Sequence, residues 1–284
     1  MSDTFSWVKG HGTRNDFLLL PDPAADVHGQ LDPALVRALC DRRGGLGADG
    51  VLRAVRSRAY DDASARAADA DGAEWFMDYR NADGSVSEMC GNGIRLFARY
   101  LVHAGLASDD GPLRIGTRDG VKTARFLSDG SVSIDMGDVR VLDEVEVRVA
   151  GRRWRARKVD VGNPHAVAMV ASLDDAGPLL DPPEHDPRDF PEGVNVEFVV
   201  RTGEGAVAMR VHERGSGETQ SCGTGAVAAA AAVAQVDELQ APVTLAVRVP
   251  GGDLEVTLRR DGKADLAGPA VLVAQGTWPL AAAP

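Results

Sequence analysis

Two short segments of the chain match each other. Met89–Leu101 reads MCGNGIRLFARYL and Ser221–Ala234 reads SCGTGAVAAAAAVA. Each has a cysteine, then Gly-polar-Gly, then an apolar run. The runs Ile94–His103 and Ala226–Val236 are apolar around most or all of a helical circumference, so each is expected to be a helix buried on every side. The flanking sequence alternates apolar with polar residues and is punctuated by Gly and Asp, as strands are. Strands, a cysteine turn, one apolar helix and more strands occur twice in that order, which implies a tandem duplication. The expected fold is α+β: two similar domains, each a mostly antiparallel sheet curled around a central buried helix. The crossovers are placed near Asp135 and Gly268. Residues 1–134 plus 269–284 then form a domain carrying Cys90, and 135–268 one carrying Cys222.

The chain opens on a strand, FSWVKGHG, a polar turn, TRND, and a second strand, FLLLPD. DPALVRALCDRRG reads as a helix with Asp32 as its N-cap and Pro33 in its first turn. Tyr60–Gly72, rich in Ala and Asp with no useful period, reads as a solvated loop. Arg152–Lys158, RRWRARK, reads as the solvated face of a strand.

Charge and cysteine usage restrict the function. The formal net charge is −11 over 284 residues, which disfavours nonspecific binding to nucleic acid or to an anionic membrane. No apolar run is long enough for a transmembrane helix, and no signal-peptide pattern opens the chain. Three cysteines, Cys40, Cys90 and Cys222, do not make a disulfide framework; reduced thiols in the cytoplasm are expected, with Cys40 a core thiol. Without a CxxC, and with scattered histidines, no metal is expected.

Glycines one and three places after each cysteine let the backbone approach a ligand. A helix N-terminus offers unpaired N–H groups and partial positive charge, which suit a carboxylate. A cysteine there is expected to have a lowered pKa. Two such thiols facing one carbon suit racemisation: one removes an α-proton and the other delivers a proton from the opposite face. The helix termini would stabilise the developing enediolate, so no cofactor is required.

YRNADGSVSEMCGNGIR and HERGSGETQSCGTGA resemble the two active-site signatures of the diaminopimelate epimerases, which interconvert LL- and meso-diaminopimelate without pyridoxal. GHGTRNDF, VGNPHAV at Val161 and GVNVEFV at Gly193 match the same family in order, so the likeness spans nearly the whole chain. The resemblance implies two similar halves with the site in the cleft between them, no cofactor, a homodimer, and a place in lysine and peptidoglycan precursor synthesis. It makes Cys90 and Cys222 the proton donor and acceptor, with His165 and Glu213 assisting their proton exchange. Gly91, Asn92, Gly223 and Thr224 would hold the reacting α-carboxylate. Asn15, Asn81, Asn163 and Asn195, with Glu213 and Arg214, would bind the rest of the substrate. Where many members have glutamine, this chain has Gly50, so a substrate contact is expected to be lost there.

Two other readings use the same cysteines. A proline or hydroxyproline epimerase would share the two-thiol logic but needs a compact pocket, which four asparagines and an arginine do not suit. A thiol redox protein would need the two sulfurs within bonding distance.

Overall fold

The computed structural model describes residues 4–149 and 151–279. The chain divides into two compact units, Met1–Ile134 with Pro269–Pro284, and Asp135–Gly268. In the first, β1 (Thr4–Gly12) and β2 (Asn15–Pro21) form a hairpin. Its turn residues, Thr13 and Arg14, both have positive φ, 48° and 63°. Two-residue hairpin turns of the mirror-image type demand that, and it strains a β-branched threonine. Then follow α1 (Pro33–Cys40), β3 (Gly50–Arg56), α2 (Ala63–Ala70), β4 (Trp75–Asn81), α3 (Gly91–His103), β5 (Leu113–Thr117) and β6 (Gly120–Phe126). Asp32 caps α1, accepting from the Ala34 amide at 2.8 Å, with Pro33 at the first helical position.

Crossing at β7 (Val132–Asp138), the chain builds the second unit from β8 (Arg140–Val149), β9 (Arg152–Asp160), β10 (Pro164–Met169), the short β11 (Glu184–His185), β12 (Asn195–Gly203), β13 (Ala206–Glu213), the short β14 (Gly217–Thr219), α4 (Gly223–Val236), β15 (Val243–Val249), β16 (Gly252–Leu258) and β17 (Lys263–Gly268). β18 (Val271–Pro279) then returns to pair with β1.

The pairing sequence of the two units is the same. In the first, β18–β1 and β1–β2 are antiparallel, β2–β3 parallel, β3–β4 antiparallel, β4–β5 parallel, and β5–β6 and β6–β7 antiparallel. In the second, β8–β9 and β9–β10 are antiparallel, β10–β12 parallel, β12–β13 antiparallel, β13–β15 parallel, and β15–β16 and β16–β17 antiparallel. α3 and α4 occupy equivalent crossovers, each joining a parallel pair, as that geometry requires. α3 packs on β1, β2, β3, β6 and β18; α4 packs on strands from β8 to β17. Each helix is thus wrapped by its own mostly antiparallel sheet, as the repeated pattern requires. From Ala226 to Ala234 every residue of α4 is buried, and seven of the nine are alanine. Small side chains let strands close on the helix from all sides. Leu18, Leu20, Val36, Leu39 and Val51 form one core in the first unit; Val147, Val196 and Phe198 anchor another in the second. Each such side chain contributes about 1.5–3 kcal/mol on burial.

One expectation is corrected. Tyr60–Gly72 is not a solvated loop: most of it is α2. Asp62 caps that helix, accepting from the Ser64 and Ala65 amides at 2.8 and 3.2 Å. Ala65 and Ala68, one turn apart, are buried beside Val55, Tyr60 and Phe76. Alanine is the strongest helix former but carries almost no hydrophobic signal, so a helix that buries only alanines has no visible period. The basic stretch Arg152–Lys158 lies in β9. Arg153 and Arg155 pair across the hairpin with Glu146 and Glu144 on β8, and Arg152 pairs with Asp175. No described helix is long and apolar enough to cross a membrane.

Candidate active site

Each cysteine is the N-cap of the buried helix in its unit. Cys90, extended at φ −142° and ψ 123°, precedes α3, and its Sγ accepts from the Gly93 amide at 3.5 Å. Cys222, at φ −120° and ψ 116°, precedes α4, and its Sγ accepts from the Gly225 amide at 3.4 Å. A thiol thus takes the place usually filled by Ser or Asp. The first intrahelical bonds run from Ile94 N to Cys90 O and from Ala226 N to Cys222 O. Gly91 and Asn92, and Gly223 and Thr224, therefore lie in the first turns, where amides have no intrahelical acceptor.

Around Cys90 the structure brings Asn15 and Asn92 together. The Cys90 thiol donates to Asn15 Oδ1 at 3.5 Å, which also accepts from Asn92 Nδ2 at 3.3 Å. Asn15 Nδ2 is held by Asp49 Oδ2 at 2.8 Å. Asn81 ends β4 as the register partner of Gly50, next to Asp49, and its side chain bonds Ser85 Oγ at 3.0 Å. Gly50 has a steric reason: a Cβ there would lie 2.6 Å from Arg80 O and 3.0 Å from the Tyr79 ring. On this backbone a glutamine does not fit.

The second unit brings Asn163, His165, Asn195, Glu213, Arg214 and Thr224 around Cys222. His165 and Asn195 are register partners on the parallel pair β10–β12. His165 is fully buried, with Nδ1 2.7 Å from Glu197 Oε1 and Nε2 3.0 Å from Asn163 Oδ1. Asn163 Nδ2 donates to Thr224 Oγ1 at 3.4 Å, and that hydroxyl lies 3.5 Å from Cys222 Sγ. A continuous chain of polar contacts thus joins His165 to the thiol. Glu213 ends β13, accepts from the Thr219 hydroxyl, and bonds the Cys222 side chain. The strand stops there, so Arg214 need not alternate with it. The Arg214 amide donates to Asn195 Oδ1 at 2.9 Å, and its guanidinium donates to Glu192 O at 3.0 Å. A cavity of about 290 Å³ lies beside this corner, lined in part by Asn163, Lys158, Phe190 and Glu192. Among the described residues, no group of three His, Cys, Asp or Glu side chains converges as metal ligands would.

Glu197 is the residue that sequence reasoning missed. It lies two places after Asn195 on β12, on the same face, and is fully buried. A glutamate inside the apolar run NVEFVV was the available signal, because a carboxylate is rarely buried without a partner.

The lowered pKa expected of a helix-capping thiol does not hold for Cys222. Burial pushes this thiol well above its ordinary value, and the charges of Glu213 and Glu197 push it further; bonds from Thr224 and Gly225 oppose them and lose. Burial likewise raises Glu213. Burial and the two carboxylate charges both favour the protonated form of the Cys222 thiol. Glu213→Gln removes one opposing charge, so the pH midpoint for iodoacetamide alkylation of Cys222 is expected to fall. An unchanged or higher midpoint would contradict this account.

The fold is one shared with solved structures of a hydroxyproline epimerase and a PhzF-family protein. It matches a hydroxyproline epimerase from Agrobacterium vitis with a TM-score of 0.68 at 14% identity, covering 98% of this chain and 93% of that one. It matches a Bacillus anthracis phenazine biosynthesis protein of the PhzF family with a TM-score of 0.69 at 16% identity, covering 98% and 99%. Sequence narrows the class. The chain belongs to the diaminopimelate epimerase family, an isomerase family whose sequence model matches residues 7–142 and 157–273. The diaminopimelate epimerase of Streptomyces coelicolor is 55% identical over 285 residues, covering 98% of this chain and 96% of the relative. That of Thermobifida fusca is 50% identical over 277 residues, covering 97% and 98%.

Proposed function

We propose that this protein interconverts LL- and meso-2,6-diaminopimelate by a two-thiol proton transfer without a cofactor. The observation that carries the reading is the pair of cysteine N-caps, one at the head of the buried helix in each unit. The two half-sites act on opposite faces of one α-carbon. A thiolate takes the α-proton, and the electron pair moves into the carboxylate to give an enediolate. The other thiol gives its proton to the opposite face, which inverts the centre and leaves the second thiolate behind. First-turn amides of both helices stabilise the enediolate oxygens, the point at which charge develops. His165 and Glu213 return the thiols to their starting protonation through solvent. Asn15, Asn81, Asn163, Asn195 and Arg214 hold the remainder of the substrate. Exclusion of water protects the carbanion-like intermediate. The same reading takes the enzyme as a cytoplasmic homodimer serving lysine and peptidoglycan precursor synthesis.

The test is proton exchange. Reduced protein is incubated with pure LL-diaminopimelate in D₂O, and the α-proton signal and isomer ratio are followed. Deuterium incorporation with formation of the meso isomer is expected. If diaminopimelate is untouched while proline or hydroxyproline is racemised, the substrate assignment fails and the two-thiol chemistry survives.

A further inference from the structure

Arg95 is a fully buried cation with no carboxylate partner among the described residues. It lies in the second turn of α3, folded back beneath the cysteine turn. One terminal nitrogen donates to Gly91 O at 3.2 Å; the other donates to Asn92 Oδ1 at 2.8 Å and lies 3.4 Å from Thr13 Oγ1. Its Nε has no hydrogen-bond partner. The β1–β2 hairpin closes on it, since a Cβ on Gly12 would lie 3.1 Å from the guanidinium and 2.9 Å from Asn92 O. Thr13 is held here at φ 48°, a strained conformation that persists only where its surroundings enforce it. A buried guanidinium bound only to neutral oxygens is costly unless an anion lies near. Burial pulls Arg95 down to about 10, and the charge of Cys90 is what opposes that pull.

The second unit has the reverse arrangement. The position equivalent to Arg95, five places after the cysteine, is Val227. The charges nearest that cysteine are two carboxylates, half-buried Glu213 and buried Glu197: Glu213 bonds its thiol, and a Cβ on Gly225 would lie 2.7 Å from Glu197 Oε1. We propose that Arg95 is a positioning residue that fixes the Cys90 turn and supplies the buried positive charge for its thiolate, so that Cys90 rests as the base and Cys222 as the acid. This rests on the two-thiol reading above, and it explains how two near-identical turns hold one proton between them in a defined order.

The other charged groups on elements packed against α3 do not supply this field. On β1 and β2, Lys9 pairs with Asp16, which also pairs with Arg42; Arg42 holds Asp49 as well. His11 accepts from the Arg14 amide, and Arg14 is exposed. On β3, Arg53 pairs with Asp22 and Arg56 with Glu74; on β6, Lys122 pairs with Asp119 and Arg125 is exposed. β18 carries no charged residue. Within α3, Arg99 stacks on Phe126 and His103 is in the last turn. The Asn15 carbonyl favours the protonated thiol, but it is a neutral dipole set against a full buried charge.

Iodoacetamide alkylation, read peptide by peptide across pH on the full reduced chain, tests this without any turnover. In the wild type, Cys90 is expected to react with a lower pH midpoint than Cys222. In Arg95→Met the Cys90 midpoint rises by about one unit, an approximately tenfold slower reaction at neutral pH, while that of Cys222 stays in place. Arg95→Lys restores most of the difference, because the charge returns without the fork of hydrogen bonds. A folded Arg95→Met with an unmoved Cys90 midpoint overturns the proposal. So does a wild type in which Cys90 titrates at or above Cys222, a measurement that needs no variant to fold. A protein inactive on diaminopimelate that still shows the midpoint shift would overturn the substrate and leave Arg95 its role.

Discussion

Cys90→Ser and Cys222→Ser are each expected to lower kcat/KM for LL- to meso-diaminopimelate conversion by about 10³-fold, within the 10²–10⁴ range that positioned acids and bases contribute. A serine hydroxyl fits the N-cap better than a thiol does, so folding is not at stake. It ionises far less readily, so it cannot act as a base near neutral pH. The two variants remove different halves of one proton relay, yet each must slow the forward and reverse directions by the same factor, because an enzyme does not alter the equilibrium. Isomer ratios followed from both pure starting compounds check this. Activity within tenfold of wild type in either variant would sink the two-thiol mechanism.

Asp22→Ala is expected to destabilise the first unit by about 3–5 kcal/mol, the cost of leaving a buried charge without its partner. Asp22 and Arg53 are both fully buried, bound at 2.7 Å and, through Nε, at 2.9 Å. The same carboxylate accepts from the amides of Asp26, Val27 and His28, at 3.0 to 3.1 Å. One side chain therefore ties β3 to the whole segment after β2. Its loss leaves Arg53 with Asp78, 3.8 Å away, as its paired carboxylate, and strands three amides. Thermal unfolding with Asp22→Asn alongside measures the effect; the amide keeps the shape and some bonds, so it should fall between. A loss below about 1 kcal/mol would show that water replaces the carboxylate.

Much of this architecture was legible in the sequence because the features that carry it are local. The Cys-Gly-x-Gly turns announce helix starts, and an alanine run without a polar face can only be a central helix. Asn15, Asn163 and Asn195 came only through the family resemblance, since an asparagine in a turn is by itself an ordinary turn residue. What stayed hidden depends on which strands meet. Glu197 looks like one polar residue in an apolar strand until the parallel pairing of β10 and β12 sets it beside His165. The direction of the Cys222 shift could not be read either: the helix terminus is visible in sequence, but the burial and the two carboxylates that outweigh it depend on β12 and β13 meeting the head of α4. α2 stayed hidden for another reason, since its buried face is alanine and its cap is one aspartate among several. Arg95 sits in plain view within the first signature. Only its burial without a carboxylate gives it meaning.

The return of the chain to β1 has a consequence for biosynthesis. β18 pairs with β1 from Thr4↔Pro279 to His11↔Val271, so the earliest strand waits for the latest before its outer edge is hydrogen-bonded. The second unit, continuous from Asp135 to Gly268, has all its strands while that edge is still open. β1 is therefore made first but gains its outer hydrogen-bonding partner only with the last described strand. During that interval β1 is an unprotected strand edge, the kind of surface on which nascent chains associate wrongly.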